Sequence, residues 1–221
     1  VAKMIDDGAT LQLGIGSVPD AVLASLLNHR ELSVWSEMFS DGVLALERAG
    51  AMSQERPIVS SFVFGSAELY QWVDLNPRVR LLRTETTNDP ATIERRPLMT
   101  SVNAALQVDL FGQANASRVR GRIFSGFGGQ TDFIVGAMHA PGGQAFIALP
   151  SWHTKSDTST IVPTLGFTVT SFQQSAVVTE QGVAHLWGLS QNQQAAQLIE
   201  RAAHPDARQE LWSAAAELGL T

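Results

Sequence analysis

Thr10-Leu11-Gln12-Leu13-Gly14-Ile15-Gly16-Ser17-Val18-Pro19-Asp20 sets the pattern that the rest of the chain repeats. A short apolar strand ends in glycine, and Val18-Pro19-Asp20 then opens a helix, with Pro and Asp in its first turn, expected to run to about Asn28. The motif recurs: Leu32 to Ser36 reads as a strand and Asp41-Gly42-Val43 starts a helix to about Ala49. Pro57 to Phe62 is a further strand before a helix from Ser66 to Val73, and Val79 to Leu82 closes the series. Strand alternating with helix predicts an α/β fold, an open and mostly parallel sheet flanked by helices.

The middle of the chain changes character. Thr100 to Leu110 reads as one strand, Phe111 to Asn115 as a turn, and Val119 to Phe124 as the returning arm of a hairpin. Beyond a second glycine turn, Ser125-Gly126-Phe127-Gly128-Gly129-Gln130, a helix is expected from Asp132 to Met138. Gln144 to Pro150 is a buried strand, and Val177 to Thr179 is a strand leading into Glu180-Gln181-Gly182. Helices follow from Gln191 to Ala202 and, behind a His204-Pro205-Asp206 cap, to about Leu218. With no repeat, low-complexity tract or linker, residues 1–221 read as one domain.

Composition narrows the function. The charged fraction of 16% is well below the roughly 25% of an average domain, so a further covered face is expected, against a subunit or a neighbouring domain. The net charge of −6 excludes general nucleic-acid binding, which needs a basic footprint. Only Lys3 and Lys155 are lysines, so an anionic ligand falls to a few arginines and to backbone amides. Without cysteine there are no disulfides, thiolate metal sites or cysteine nucleophiles, which is compatible with the cytoplasm. No apolar run reaches the roughly 18 residues of a membrane span. The five histidines show no metal-ligand spacing, and no Gly-x-Ser-x-Gly is present. The chain opens on Val1, in what reads as a helix already under way, so an N-terminal portion is expected to be missing.

Three features carry candidate chemistry. Glu37, in Trp35-Ser36-Glu37-Met38-Phe39-Ser40-Asp41-Gly42, is a carboxylate at the end of a strand, the edge of an open α/β sheet where ligands collect. It is either a nucleophile toward an activated acyl group or a structural group that caps the Asp41 helix or pairs with an arginine. Glu180 is the rival nucleophile. The turn at Gln12, Gly14 and Gly16 permits close backbone approach at a helix start, although Pro19 stands where a dinucleotide fingerprint has its third glycine. The turn at Gly126, Gly128 and Gly129 reads either as a backbone nest for an oxyanion or as a bend forced by packing.

Together these segments resemble the acetyl-CoA hydrolase/transferase family, the family I CoA-transferases, in its C-terminal half. The matching stretches are Leu11 to Gly16 with Pro19-Asp20-Ala21, Ser36 to Gly42, Asn103, Asp109-Leu110, and Gly112-Gln113. They continue through Ser125-Gly126, Gly128-Gly129-Gln130, Asp132-Phe133, Ile161-Val162-Pro163, Val177 to Glu180, Gly182-Val183-Ala184 and His204-Pro205-Asp206. The order holds across nearly the whole chain. The resemblance implies a CoA-transferase (NagB-like) α/β domain whose Glu37 attacks an acyl-CoA thioester and passes CoA to a small acid such as acetate, succinate, itaconate or 4-hydroxybutyrate. It implies that Gly128 and Gly129 stabilise the oxyanion, and that Gln12, Gly14, Gly16, Gly126 and Gln130 line the acyl or CoA pocket. Coenzyme A then enters as a substrate, with no permanently bound cofactor. The implied partners are an N-terminal domain of the same protein and further copies of it as a homo-oligomer.

The departures from the family pattern lie close to the nucleophile. Trp35 stands where relatives commonly have histidine, which points to an altered acyl pocket. Thr160 replaces an arginine, the segment before Val177 lacks another, and Gln181 stands where an aromatic is frequent. An acyl-CoA hydrolase and a non-catalytic assembly domain are the alternatives on the same fold.

Overall fold

The computed structural model describes residues 1–14, 16–169 and 173–221, so Ile15, inside the first expected glycine turn, lies outside the described residues. The chain divides into two compact units, Val1–Asn103 with Asp132–Ala145, and Ala104–Thr131 with Phe146–Thr221.

The first unit is the expected alternation. Strands β1 (Thr10–Leu13), β2 (Ser33–Trp35), β3 (Ile58–Ser60), β4 (Val79–Leu81) and β5 (Met99–Ala104) form a parallel array in the order β5-β1-β2-β3-β4. Thr10 pairs with both Met99 and Ser33, which sets the register at the centre. Every residue of β1, β2 and β3 is buried, as expected of parallel strands covered on both faces. Helices α1 (Ser17–Ala24), α2 (Asp41–Arg48) and α3 (Ala67–Val73) make the crossovers that parallel pairing requires.

Two glycines set how those helices seat. A Cβ on Gly42 would lie 2.5 Å from Leu23 Cδ1 and 3.0 Å from its Cβ, so α1 and α2 approach through a position that tolerates no side chain. A Cβ on Gly65 would fall 2.6 Å from Asp41 Oδ2, and that carboxylate receives Ser66 N at 3.0 Å and Ser66 Oγ at 2.5 Å. Asp41 thereby ties the start of α2 to the start of α3. The helix α4 (Gln130–His139) begins at the unit boundary, and its Gly136 leaves no room for a Cβ, which would meet Ile93 at 2.5 Å.

In the second unit β6 (Gln144–Ala148) pairs parallel with β7 (Ala176–Thr179), Phe146 opposite Ala176 and Ala148 opposite Val178. Strand β7 turns back antiparallel into β8 (Gly182–His185), a strand that the sequence reading did not separate from the turn. The expected long strand from Thr100 to Leu110 is broken: it stops at Ala104 and resumes as Gln107–Asp109, which pairs with Ala114–Asn115 and Ile161–Val162. The arm expected from Val119 to Phe124 is instead one side of a separate hairpin, Arg118–Val119 with Arg122–Ile123. Its cause is local, since Arg120 and Gly121 both take positive φ and close a two-residue turn. Helix α5 (Gln191–Gln197) starts with a Ser190–Gln193 capping box and runs on through Leu198–Ala202, and α6 (Arg208–Glu217) ends the chain's helical part. Among the described residues no helix is long and apolar enough to cross a membrane.

Candidate active site

Glu37 lies one residue beyond Ser36, which follows the end of β2, and is half-buried. Its backbone is fixed: the Glu37 carbonyl accepts from Ser61 N at 2.8 Å and from Phe62 N at 3.2 Å, where the chain leaves β3 and enters the short strand Phe62–Val63. The carboxylate is held from another direction, with Oε2 accepting from Asn88 Nδ2 at 3.1 Å. Asn88 caps the short helix Thr84–Thr87, and its Oδ1 accepts from Thr87 Oγ1 at 2.9 Å. That second bond fixes the amide's orientation, oxygen toward Thr87 and NH2 toward Glu37. With the Thr87 hydroxyl hydrogen given to Asn88, Ser61 Oγ, 2.5 Å away, is the donor to Thr87. Ser61 thus touches both ends of the arrangement, the Glu37 carbonyl through its N–H and the Thr87 hydroxyl through its side chain.

Trp35 belongs to this support. Its Nε1 donates to the Thr87 carbonyl at 2.9 Å, its ring lies 4.2 Å under the Arg96 guanidinium, and it is 8% exposed. A side chain so occupied has little surface left to line a pocket. In place of the altered acyl pocket expected from sequence, the structure gives Trp35 the task of anchoring the segment that presents Asn88. That segment, from Arg83 to Leu98, went unread at the sequence level. Its one signal was Asn88-Asp89-Pro90, a helix stop followed at once by an Asp-Pro start.

A second carboxylate lies within reach of the first. Burial raises the pKa of Asp132, and the negative charge of Glu37 raises it further. Asp132 stands in the first turn of α4.

The other first-unit candidates sit differently. Gln12 is 5% exposed, and its side chain is engaged: Nε2 donates to Asn103 Oδ1 at 3.1 Å, while Oε1 accepts from Ser101 Oγ at 2.6 Å. It ties β1 to β5. Gly14 borders a small hollow with Leu13, Leu23, Ser36, Met38 and Phe39, and Ser36 Oγ is buried there with no partner among the described residues. Gly16 has φ +115, a conformation that favours glycine, and precedes α1.

Gly126, Gly128, Gly129 and Gln130 belong to the second unit. Gly128 has φ +63 while a Cβ there would meet nothing, so the glycine answers a backbone conformation and not a packing limit. Gln130 Nε2 and Thr131 Oγ1 are buried without a hydrogen-bond partner among the described residues. Buried donors left unmade are costly, and a pair of them at the start of a helix suits an oxygen-bearing ligand.

Glu180 has other work. Its carboxylate receives Ser151 N at 2.9 Å and also the Ser151 hydroxyl, with Gln181 Nε2 at 3.3 Å. Burial pushes its pKa up, but these donors outweigh burial and hold it below the usual carboxylate range. Asp109 is likewise structural: fully buried, it accepts from Phe111 N, Gln113 N, Gln113 Nε2 and Leu165 N.

The acetyl-CoA hydrolase/transferase C-terminal domain model matches residues 65–215. The 4-hydroxybutyrate coenzyme A transferase of Clostridium kluyveri is 43% identical over 220 residues, 95% of this chain and 51% of the relative. The succinyl-CoA:acetate/propanoyl-CoA:succinate CoA transferase of Fasciola hepatica is 42% identical over 96% of this chain and 47% of its own. An acetyl-CoA hydrolase, that of Kluyveromyces lactis, is 32% identical over 89% of this chain and 38% of its own. Among solved structures, RipA from Yersinia pestis superposes with a TM-score of 0.94 at 35% identity, covering 100% of this chain and 52% of that one. The chain spans about half the length of these two curated transferases. It belongs to the acetyl-CoA hydrolase/transferase family, and the part it represents is that family's C-terminal domain.

Proposed function

We propose that this domain supplies the nucleophile of an acyl-CoA:carboxylate CoA-transferase, and that Glu37 is that nucleophile. The observation that carries the reading is the hold on Glu37: its backbone is clamped at the end of a buried strand, and Oε2 faces a neutral amide whose orientation is itself fixed. An oriented amide donor fixes where the carboxylate oxygen points, as attack on a carbonyl carbon requires.

The chemistry then follows in four steps. A Glu37 oxygen attacks the thioester carbonyl, and the C–S bond breaks to leave an acyl-glutamyl anhydride and CoA thiolate. The thiolate attacks the Glu37 carbonyl carbon, expels the first carboxylic acid as its carboxylate, and leaves glutamyl-CoA thioester. The acceptor carboxylate attacks that thioester, giving a new anhydride and CoA thiolate again. Thiolate attack on the acceptor's acyl carbon releases the new acyl-CoA and regenerates Glu37. Each tetrahedral intermediate carries an oxyanion, the proposed role of the Gly128 and Gly129 amides. Gln12, with its side chain engaged, contributes by holding β1 beside β5, while Gly14, Gly16, Gly126 and Gln130 provide backbone and donors for the acyl-CoA. Acetate, succinate, itaconate and 4-hydroxybutyrate are the candidate acids, and no permanent cofactor enters the scheme.

Acetyl-CoA hydrolases among the relatives favour one second reading, in which water replaces the acceptor. The complete protein is proposed to add an N-terminal domain, to act as a homo-oligomer and to work in the cytoplasm. The apolar Phe62, Phe64, Tyr70 and Leu75, exposed in the first unit, fit a covered face. The test is CoA exchange by the complete protein, with and without a carboxylate acceptor. Transfer that hydroxylamine abolishes only after exposure to acyl-CoA supports the transferase, and CoA release independent of acceptor supports the hydrolase. Exchange that survives Glu37→Ala rejects both.

A further inference from the structure

Arg118, Arg120 and Arg122 stand within five residues, in a stretch from Leu110 to Thr131 that contains no acidic side chain. In a chain of net charge −6 this is a local concentration of positive charge. Arg118 pairs with Ile123 and Val119 with Arg122, which leaves Arg120 and Gly121 alone to form the hairpin turn, at φ +50 and +76. The first place of such a turn favours Asn, Asp or Gly, because in the left-handed region a side chain's Cβ crowds the following carbonyl. An arginine kept there at conformational cost asks for a reason outside the turn.

The hairpin borders a groove of about 270 Å³ in the second unit. Arg118 and Arg120 line it together with His153, Ser156, Thr158 and Ser159 of the neighbouring hairpin, and no carboxylate does. Asp157, in that same hairpin, is turned to Trp152 Nε1 at 3.0 Å. Arg120 has no hydrogen-bond or ion-pair partner among the described residues, while Arg118 reaches the Gly121 carbonyl at 3.2 Å. The His153 tautomer follows from its surroundings. The Ser156 peptide N–H donates to Nδ1 at 3.2 Å, so the ring hydrogen belongs on Nε2, as one more donor for the groove. Two guanidiniums, an imidazole N–H and hydroxyls, with no opposing carboxylate, are the donor set of a phosphate site.

We propose that this groove is the subsite for the phosphate groups at the nucleotide end of the acyl-CoA, with Arg120 as its principal charge; the assignment rests on the CoA-transferase reading. Arg120 is exposed at a hairpin tip, so its replacement leaves the core alone, and Arg120→Asn puts the turn's preferred residue in place of the guanidinium. The experiment is calorimetric titration of the complete protein, wild type and Arg120→Asn, with CoA, 3′-dephospho-CoA, pantetheine, 3′,5′-ADP and inorganic phosphate. Wild type is expected to bind CoA more tightly than pantetheine, less so as salt rises. Arg120→Asn is expected to weaken CoA and 3′,5′-ADP about 10-fold, to leave pantetheine unchanged, and to keep or raise the melting temperature. Arg118→Gln should weaken the same ligands in the same order.

Unchanged CoA affinity in Arg120→Asn, or inorganic phosphate binding as tightly as CoA, overturns the assignment. Labelling of Glu37 by acyl-CoA together with unchanged CoA affinity in Arg120→Asn rejects the groove and spares the nucleophile. No labelling, with 3′,5′-ADP binding still sensitive to Arg120→Asn, does the reverse.

Discussion

Glu37 and Glu180 are both glutamates set just past the ends of buried strands, and they meet opposite surroundings. Glu180 is taken by the backbone N–H and hydroxyl of Ser151, donors that lower its pKa and make it a fastening between two loops. Glu37 meets the side-chain amide of Asn88, itself oriented by Thr87, and a second carboxylate, Asp132, lies close enough to feel its charge. Position at a strand end therefore says where a carboxylate is, and the donors around it say what it is for. Backbone donors on a carboxylate spend it on structure. An oriented side-chain amide, with an acid nearby, sets where its oxygen points.

The largest effect expected from this contrast is at Glu37 itself. Glu37→Ala should lower CoA transfer by at least about 10³-fold with little change in melting temperature, while Glu180→Ala should keep most of the turnover and lower the melting temperature. Equal losses of activity in the two variants, at equal stability, would break the comparison. Next is Asn88→Ala, expected to lower kcat by up to about 100-fold with KM for acyl-CoA little changed, since it would misplace the proposed nucleophile without touching binding. A loss confined to KM would move Asn88 from positioning to substrate contact.

Trp35→Phe should act in the same direction and more weakly, because it removes the hydrogen bond to Thr87 while leaving a ring beneath Arg96. A change in preference among acids, with kcat intact, would return Trp35 to the acyl pocket.

The smallest effects are on stability against pH. The folded Asp132 binds its proton more tightly than the unfolded chain does, so it costs stability once pH rises above the ordinary value near 3.8. Asp132→Asn should raise the melting temperature at neutral pH, and the gain should fade as pH falls through that value. Glu180 runs the other way: its lowered pKa contributes stability at neutral pH that is lost on acidification, so Glu180→Gln should differ from wild type less in acid than at pH 7. Thermal melts across pH 3 to 8 (roughly the window of these carboxylates) read both signs.

Much of the first unit was legible because its signals are local. Apolar runs such as Leu11 to Leu13 and Leu32 to Trp35, punctuated by Gly14 and by Asp41-Gly42, specify strand and helix without reference to anything distant. The second unit was less so. Gln107–Asp109 was fused with β5 because Ala105 and Leu106 are no obvious breakers, and the pairing of β7 with β8 depends on a turn read only as a glutamate beside glycine. The site divides in the same way. Glu37 announces itself as a charge in apolar company, whereas Asn88 acts on it across 51 residues of sequence, a distance no spacing rule spans. Trp35 shows the converse failure: it stands two residues from the proposed nucleophile in sequence, but its partners in space are Thr87 and Arg96.

The most direct test of the central claim is to trap the intermediate. The complete protein would be incubated with acyl-CoA, reduced with borohydride, digested, and mapped by mass spectrometry. The account predicts that Glu37 alone becomes the reduced alcohol, and only when acyl-CoA was present. Reduction at Glu180, or none at Glu37 in protein that is turning over, contradicts it.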